Sequence, residues 1–131
     1  VEYLLREVGA AKLDEGCAPS DLALGIGALV ALGFSRDSVV VLEPLKALLL
    51  VQEKDGGWSA KASELSHVGH TALVLNALLD SGLSKGSEHV EKAVGFLLSQ
   101  RNLDGGWAER WRELSVPHIT ACVLALLCRL S

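Results

Sequence analysis

Apolar residues along the chain fall into long runs that are separated by short polar segments containing glycine. Three of these runs, at residues 20–32, 68–81 and 117–130, are apolar on almost every side, which is typical of helices covered by neighbours on most faces. Two others, at residues 38–52 and 88–101, carry charged residues on one face, which is typical of helices with one side in water. The pattern predicts an all-α fold in which three inner helices alternate with two outer helices.

The helix pairs recur at a constant interval. A shift of 49 residues places the segment DGGW that starts at Asp55 onto the same four letters starting at Asp104. The same shift places HTALVLNALL, from His70, onto ITACVLALLC, from Ile119, and a backward shift reaches DLALGIGALV, from Asp21. Self-similarity at a period of roughly 20–50 residues indicates a repeat architecture. We therefore expect one repeat domain made of a partial repeat, two full repeats and a final inner helix, at residues 1–19, 20–66, 67–115 and 116–131.

The repeated glycine-containing turn has a composition that predicts a structural role. Glycine tolerates positive φ and can end a helix, while a Gln near the helix end can donate to free carbonyls with its amide plane against a Trp ring. One carboxylate beside two glycines offers neither a paired acid and base nor enough ligands for a metal ion. The residues assigned to the turns are Gln52, Asp55, Gly56, Gly57, Trp58, Asp104, Gly105, Gly106 and Trp107.

Pro44 lies inside the apolar stretch of the first outer helix. Proline removes one backbone donor and its ring clashes with the preceding turn of a helix. We expect either a kink at Pro44 or a helix that begins only near Glu43.

Composition and charge exclude several kinds of partner. The 12 Lys and Arg are scattered among 16 Asp and Glu, for a net charge of -4, so no basic stripe could follow a nucleic acid backbone. The longest apolar run, residues 22–34, is shorter than the ~20 residues that span a bilayer, which leaves peripheral contact with a membrane as the compatible mode. The three cysteines lack CxxC spacing; we expect buried, reduced thiols and a cytoplasmic location.

The turn and the inner helix that follows it are similar to a known repeat. QEKDGGW, at residues 52–58, resembles the QW motif of the terpene cyclase and protein prenyltransferase repeat family, written QxxDGGW, and HTALVLNAL resembles its TAxxLxAL inner helix. The second copy, RNLDGGW, has Arg101 in place of the Gln, with Gln100 one position earlier. The resemblance covers about residues 18–131, and the residues before them more loosely.

This resemblance implies an α/α toroid, in which inner helices surround an apolar cavity that takes isoprenoid chains. Three inner helices make about half of such a toroid. We therefore expect a partial toroid whose open ends are covered by a second copy of the chain, by further repeats or by another partner.

The resemblance also locates candidate site residues at the start of the second inner helix. In squalene and hopene type cyclases an acidic DxDDTA motif at this place protonates the substrate, and the matching segment here is HVGHTA, at residues 67–72. His67, Gly69 and His70 stand at the three acidic positions, so we expect the cyclase acid to be absent. His67, His70 and Asp21, which is equivalent to His70 in the preceding repeat, are the candidates for substrate binding or catalysis. The alternative for the two histidines is that they belong to a helix start, where their side chains cap the helix or line the end of the pore.

A zinc site is implied by the resemblance to protein prenyltransferase β subunits, in which a His-Thr pair joins a DxC motif. The matching residues are Glu15, Cys17 and His70, and Cys, carboxylate and His with an open fourth position form a catalytic zinc pattern. The alternative is that DEGC, at residues 14–17, is an altered DGGW turn with Cys in place of Trp. Apart from this set, no cofactor is expected.

Two functions are compatible with these features. The first is a domain that forms part of an apolar, isoprenoid-type binding cavity without independent catalytic activity. The second is a non-catalytic repeat module that binds a protein or peptide and associates with itself. The inner helices contain no aromatic residue except Phe34 at the end of one, which argues against a cavity that stabilises carbocations on aromatic faces.

Overall fold

The structure, a computed structural model, describes residues 18–35, 37–59, 66–108 and 115–131. Within these ranges the chain forms helices and no strand, apart from a single antiparallel bridge between Ser59 and Ser66. The all-α prediction is therefore confirmed. The helices are α1 (Pro19–Ala31), α2 (Val39–Leu50), α3 (Val68–Asp80), α4 (Glu88–Ser99) and α5 (Pro117–Leu130).

Every helix that the apolar pattern predicts is present, with ends that differ by at most two residues. The expectation of a helix that begins near Glu43 is wrong, because α2 begins at Val39 and continues through Pro44. Val41, Leu45 and Leu48 are buried on one face of α2. Packing of this face outweighs the loss of one backbone hydrogen bond at the proline.

The helices are arranged as inner and outer members of a repeat. The inner helices contact one another in chain order, α1 with α3 and α3 with α5, while the outer helices α2 and α4 each contact the inner helix that precedes them. Buried apolar side chains from all five helices join into one core. A continuous core of this kind is expected where each repeat buries its apolar face against the next.

Trp58, in the first turn, joins the end of α2 to the start of α3. Its indole N–H donates to the carbonyl oxygen of Leu48, near the end of α2, at 2.7 Å. Its backbone N–H donates to the hydroxyl of Thr71 at 2.9 Å, and that hydroxyl donates back to the Trp58 carbonyl at 3.3 Å. Trp58 and Thr71 are both fully buried. The turn thereby fixes where the next inner helix begins.

The second turn repeats these contacts. The indole N–H of Trp107 donates to the Leu97 carbonyl at 2.6 Å, near the end of α4. The Trp107 backbone N–H donates to the Thr120 hydroxyl at 2.8 Å, at the start of α5. The repetition of each contact after 49 residues shows that the sequence repeat is also a repeat of hydrogen bonds.

The aspartates of both turns accept hydrogen bonds inside their own turns. Asp55 Oδ1 accepts from the Gly57 N–H at 2.9 Å and from the Ser66 hydroxyl at 2.6 Å. Asp104 Oδ1 accepts in the same way from Ser115 and Gly106. Hydrogen bonds from the Ser115 hydroxyl, which has the larger effect, and from the Gly106 N–H lower the pKa of Asp104 below its ordinary value of 3.8. Each carboxylate acts as an acceptor that closes its loop.

Gln52 connects the first turn to the next outer helix. Its Nε2 donates to the Gly56 carbonyl at 2.8 Å and to the His89 carbonyl at 3.0 Å, and its Oε1 lies 2.7 Å from His89 Nδ1. The expectation that this glutamine donates to backbone carbonyls is confirmed, and the carbonyl of His89 belongs to the next outer helix. The carbonyl of Leu48, near the end of α2, accepts instead from the indole of Trp58.

Arg101 takes the place of the glutamine in the second turn. Its Nε donates to the Gly105 carbonyl at 3.0 Å, and its guanidinium carbon lies 5.3 Å from the centre of the Trp107 ring. Gln100, by contrast, donates to the Ser99 hydroxyl. The arginine thus fills the glutamine position of the repeat, and it adds a cation–π contact of roughly 0.5–1 kcal/mol for an exposed cation.

The two turns differ in what packs against them. Gly56 and Gly105 have φ of +96° and +86°, a region that side chains disfavour. A Cβ atom on Gly56 would overlap the backbone carbonyl of Lys92 in α4, whereas a Cβ atom on Gly105 would meet only the Arg101 side chain, at 3.4 Å. An outer helix therefore covers the first turn, and no described helix covers the second turn at the same point.

Replacing Trp58 by Ala should lower the free energy of unfolding by about 3–5 kcal/mol, because it removes a buried aromatic ring and leaves the Leu48 carbonyl without its donor. Urea denaturation followed by circular dichroism measures this loss. Leu103→Ala, at an exposed position of the second turn, is the control and should change stability by less than about 0.5 kcal/mol. Equal stability of the Trp58→Ala and native proteins would contradict a structural role for the turn.

Gly56→Ala should destabilise the protein more than Gly105→Ala. Both changes place a side chain at positive φ, at about 1 kcal/mol, but only the first forces a methyl group against the backbone of α4, which adds about 1–3 kcal/mol of overpacking. Urea midpoints of the two variants, compared with the native protein, give the difference. An equal loss in both variants would show that α4 does not lie against the first turn.

Candidate functional site

The start of α3 is held by His67. This residue is the N-cap of the helix, and its Nδ1 accepts a hydrogen bond from the backbone N–H of His70 at 3.3 Å. Its own backbone N–H donates to the Trp58 carbonyl at 2.9 Å. His67 therefore caps the helix, as one of the two sequence alternatives proposed, and the first turn sets its position.

His70 lies one turn further along α3, against His67. The two ring centres are 4.5 Å apart and the ring planes are nearly perpendicular, at 89°. Nδ1 of His70 is buried and has no hydrogen-bond partner in the part of the chain that the structure describes. A buried polar atom without a partner costs about 1–3 kcal/mol, and such atoms in native proteins often mark a place where water or a ligand binds.

A cavity of about 280 Å³ lies between α3 and the first half of α5. Its walls combine apolar side chains with histidines that belong to the starts of the two helices. The lining residues are His67, Gly69, His70, Ala72, Leu73, Asn76, His118, Ile119 and Cys122. This arrangement can hold a small apolar molecule with one polar end.

Asn76 is tied across the cavity to α5. Its Oδ1 accepts from Arg129 Nη1 at 3.2 Å, and Nη2 of the same arginine lies 2.8 Å from the carboxylate of Asp80. Arg129 thereby connects the C-terminal parts of α3 and α5. The histidines and the arginine lie at opposite ends of the helix pair.

The candidate residues from the sequence are only partly brought together. His67 and His70 line the cavity, and so does Ile119, the residue of α5 that is equivalent to His70. Asp21 is exposed in the first turn of α1 and is not among the residues that line the cavity. A catalytic or binding role for these three polar residues stays a prediction.

The zinc set cannot be assembled from the described residues, because Glu15 and Cys17 lie outside them. Within residues 18–35, 37–59, 66–108 and 115–131, no group of three or more His, Cys, Asp and Glu residues is placed to hold a metal ion. A zinc ion bound by Glu15, Cys17 and His70 stays a prediction from the resemblance.

Sequence reasoning missed three lining residues whose side chains carry nitrogen, oxygen or sulfur, Asn76, His118 and Cys122. Asn76 has a sequence signal, since it is an amide within an otherwise apolar inner helix. The expectation of buried cysteines is wrong for Cys122 and Cys128, which are exposed free thiols. The reason is that α5 is covered on fewer sides than α3, which packs against α1, α4 and α5.

None of the described helices is both long and apolar enough to cross a membrane.

Comparison with known proteins identifies the family. The family model of the squalene-hopene cyclase C-terminal domain matches residues 10–122, a segment that includes both turns, α1 to α4 and the cavity-lining part of α5. No curated protein matches the chain. The match spans most of the chain and agrees with its helical architecture. The chain therefore belongs to the squalene-hopene cyclase C-terminal domain family, a terpene cyclase-like family of the α/α toroid type.

Proposed function

We propose that this terpene cyclase-like repeat domain forms part of an apolar, isoprenoid-type binding cavity and does not cyclise a substrate by protonation on its own. The observation that carries the proposal is the cavity between α3 and α5, which has apolar walls and histidines in place of acids. The family membership supports an isoprenoid chain as the class of ligand.

The walls of the cavity favour an apolar ligand. Ala72, Leu73 and Ile119 line it, and Leu73 is 42% exposed, so a bound chain would remove apolar surface from water at about 25 cal/mol per Å². The volume of about 280 Å³ is slightly below the roughly 300–1,000 Å³ of typical ligand pockets. The cavity therefore suits a short isoprenoid segment, in keeping with one part of a larger binding surface.

The residues at the start of α3 argue against acid catalysis. Among the described residues that line the cavity, none is Asp or Glu. An imidazolium group is a weaker acid than a carboxylic acid, and an alkene is a very poor proton acceptor. His67 is in addition engaged in capping the helix. The domain therefore supplies binding and positioning, and any catalytic acid has to come from elsewhere.

A second candidate function is association with a protein partner, and the exposure of α5 favours it. Ala72 and Leu75 of α3 are buried, while their repeat equivalents on α5, Ala121 and Leu124, are exposed. An exposed apolar stripe on a helix is a common interaction surface. A second copy of the chain or further repeats of the same kind would cover this stripe.

A cytoplasmic location stays a prediction from the free thiols.

The binding proposal predicts that the protein binds deoxygeraniol and releases it unchanged. Deoxygeraniol is the ten-carbon isoprenoid hydrocarbon in which hydrogen replaces the hydroxyl group of geraniol. Leu73→Trp should weaken binding at least about tenfold, because the indole ring is larger than the leucine side chain and fills the cavity. Equilibrium dialysis with gas chromatography measures both binding and product. The control is Leu24→Trp, at the equivalent exposed position of α1, which should bind like the native protein. Absence of binding by the native protein, or a cyclised product, would refute the proposal.

The association candidate predicts a mass that rises with concentration in size-exclusion chromatography with light scattering. Leu124→Lys should shift the protein to the monomer, because a charge is desolvated at a covered apolar surface. Leu103→Lys, at an exposed position in the second turn, should leave the mass unchanged. A monomer at every concentration would exclude self-association and leave the cavity proposal intact.

A further inference from the structure

We propose that the cavity between α3 and α5 selects an isoprenoid alcohol, with its uncharged hydroxyl group at His70, over a bare hydrocarbon or a charged head group. This inference rests on the proposed function and names the substrate class of the same cavity. It follows from an unpartnered histidine atom, a fixed neighbouring ring and the distribution of charge around the cavity.

Among the described residues, His70 is a lining residue with a buried polar atom that lacks a partner. Its ring lines the cavity, and its Nδ1 is buried with no hydrogen-bond partner among the described residues. A neutral imidazole has one nitrogen that donates and one that accepts, whereas a hydroxyl group both donates and accepts. A hydroxyl beside this ring can therefore satisfy either tautomer. A hydrocarbon satisfies neither and leaves the cost of the unpartnered atom in place.

The His70 ring is held in place by His67. Nδ1 of His67 accepts from the backbone N–H of His70, and the two rings meet edge to face with centres 4.5 Å apart. His67 also receives support from the first turn, through the bond between its N–H and the Trp58 carbonyl. A ring fixed in this way binds a hydroxyl without losing side-chain freedom at the moment of binding.

The charges around the cavity favour an uncharged head group. None of the described lining residues is Asp, Glu, Lys or Arg. Arg129 donates a hydrogen bond to the lining residue Asn76, but its charge is already paired with the carboxylate of Asp80 at 2.8 Å. A carboxylate or diphosphate in the cavity would lose its hydration without meeting a free cation, and an ammonium group would lose its hydration without meeting an anion. A neutral oxygen avoids both costs.

The position of the apolar walls sets the orientation of the ligand. The histidines occupy the ends of α3 and α5 where the helices begin, and Leu73 and Cys122 lie one turn further along. The hydroxyl group therefore lies at the histidine end, and the isoprenoid chain extends along Leu73 toward Asn76.

The test compares geraniol, deoxygeraniol and geranic acid as ligands of the native protein and of His70→Phe, by equilibrium dialysis with gas chromatography at neutral pH. The phenyl ring keeps the size of the imidazole and removes its hydrogen-bonding atoms. We expect His70→Phe to weaken geraniol binding about fivefold to tenfold, the effect of losing about one hydrogen bond, and to change deoxygeraniol binding by less than twofold. Geranic acid should bind the native protein more weakly than geraniol.

The control is Glu91→Gln, at an exposed position of α4 that does not line the cavity; it should leave all three affinities unchanged. Circular dichroism and thermal unfolding of each variant check the fold, and the three-ligand comparison on the native protein does not depend on any variant. An equal loss of geraniol and deoxygeraniol binding in His70→Phe would overturn the hydroxyl site while leaving the apolar cavity in place. Tightest binding of geranic acid would overturn the uncharged head group, and no binding of any ligand would overturn the proposed function as well.

Discussion

The hydrogen bond from a turn tryptophan to the end of the preceding outer helix is the constraint on which the architecture depends. The indole N–H groups of Trp58 and Trp107 donate backward, to carbonyls near the ends of α2 and α4 respectively. Their backbone N–H groups donate forward, to a threonine in the first turn of the next inner helix. A single buried residue thus satisfies a helix-end carbonyl and fixes the starting point of another helix. Because His67 is bonded to the same tryptophan, the position of the cavity histidines follows from the turn.

The sequence predicts the helices well because the determinants of a helix are local. Apolar spacing marks each helix to within a turn, and the DGGW segments mark where the chain reverses. A helix start near Glu43, one of the two alternatives for Pro44, is wrong because the burial of Val41 and Leu45 is a tertiary effect that outweighs a local defect. The hydrogen-bond partners of Gln52 also required the structure, since His89 lies 37 residues away in the sequence.

The site was only partly predictable, since it is formed by two helices that are distant in the chain. His67 and His70 emerged because a resemblance aligned them with a known acidic motif. His118 and Cys122 contribute only through the packing of α5 against α3, and Asp21 failed to join them because α1 does not line the cavity. Repeat-equivalent positions occupy the same place in their helices, but their surroundings depend on which neighbours each helix has, as the exposed cysteines of α5 show.

The bridge from Arg129 to Asp80 has a consequence for how the helix pair responds to its surroundings. Both side chains are well exposed, at 40% and 44%, so the attraction is weak and dissolved ions screen it over a Debye length of about 8 Å at physiological ionic strength. The apolar side chains of α3 and α5 that share the core, among them Leu78 and Leu126, carry no charge for dissolved ions to screen. Rising ionic strength therefore weakens the polar link at the arginine end and leaves the apolar packing between the two helices in place.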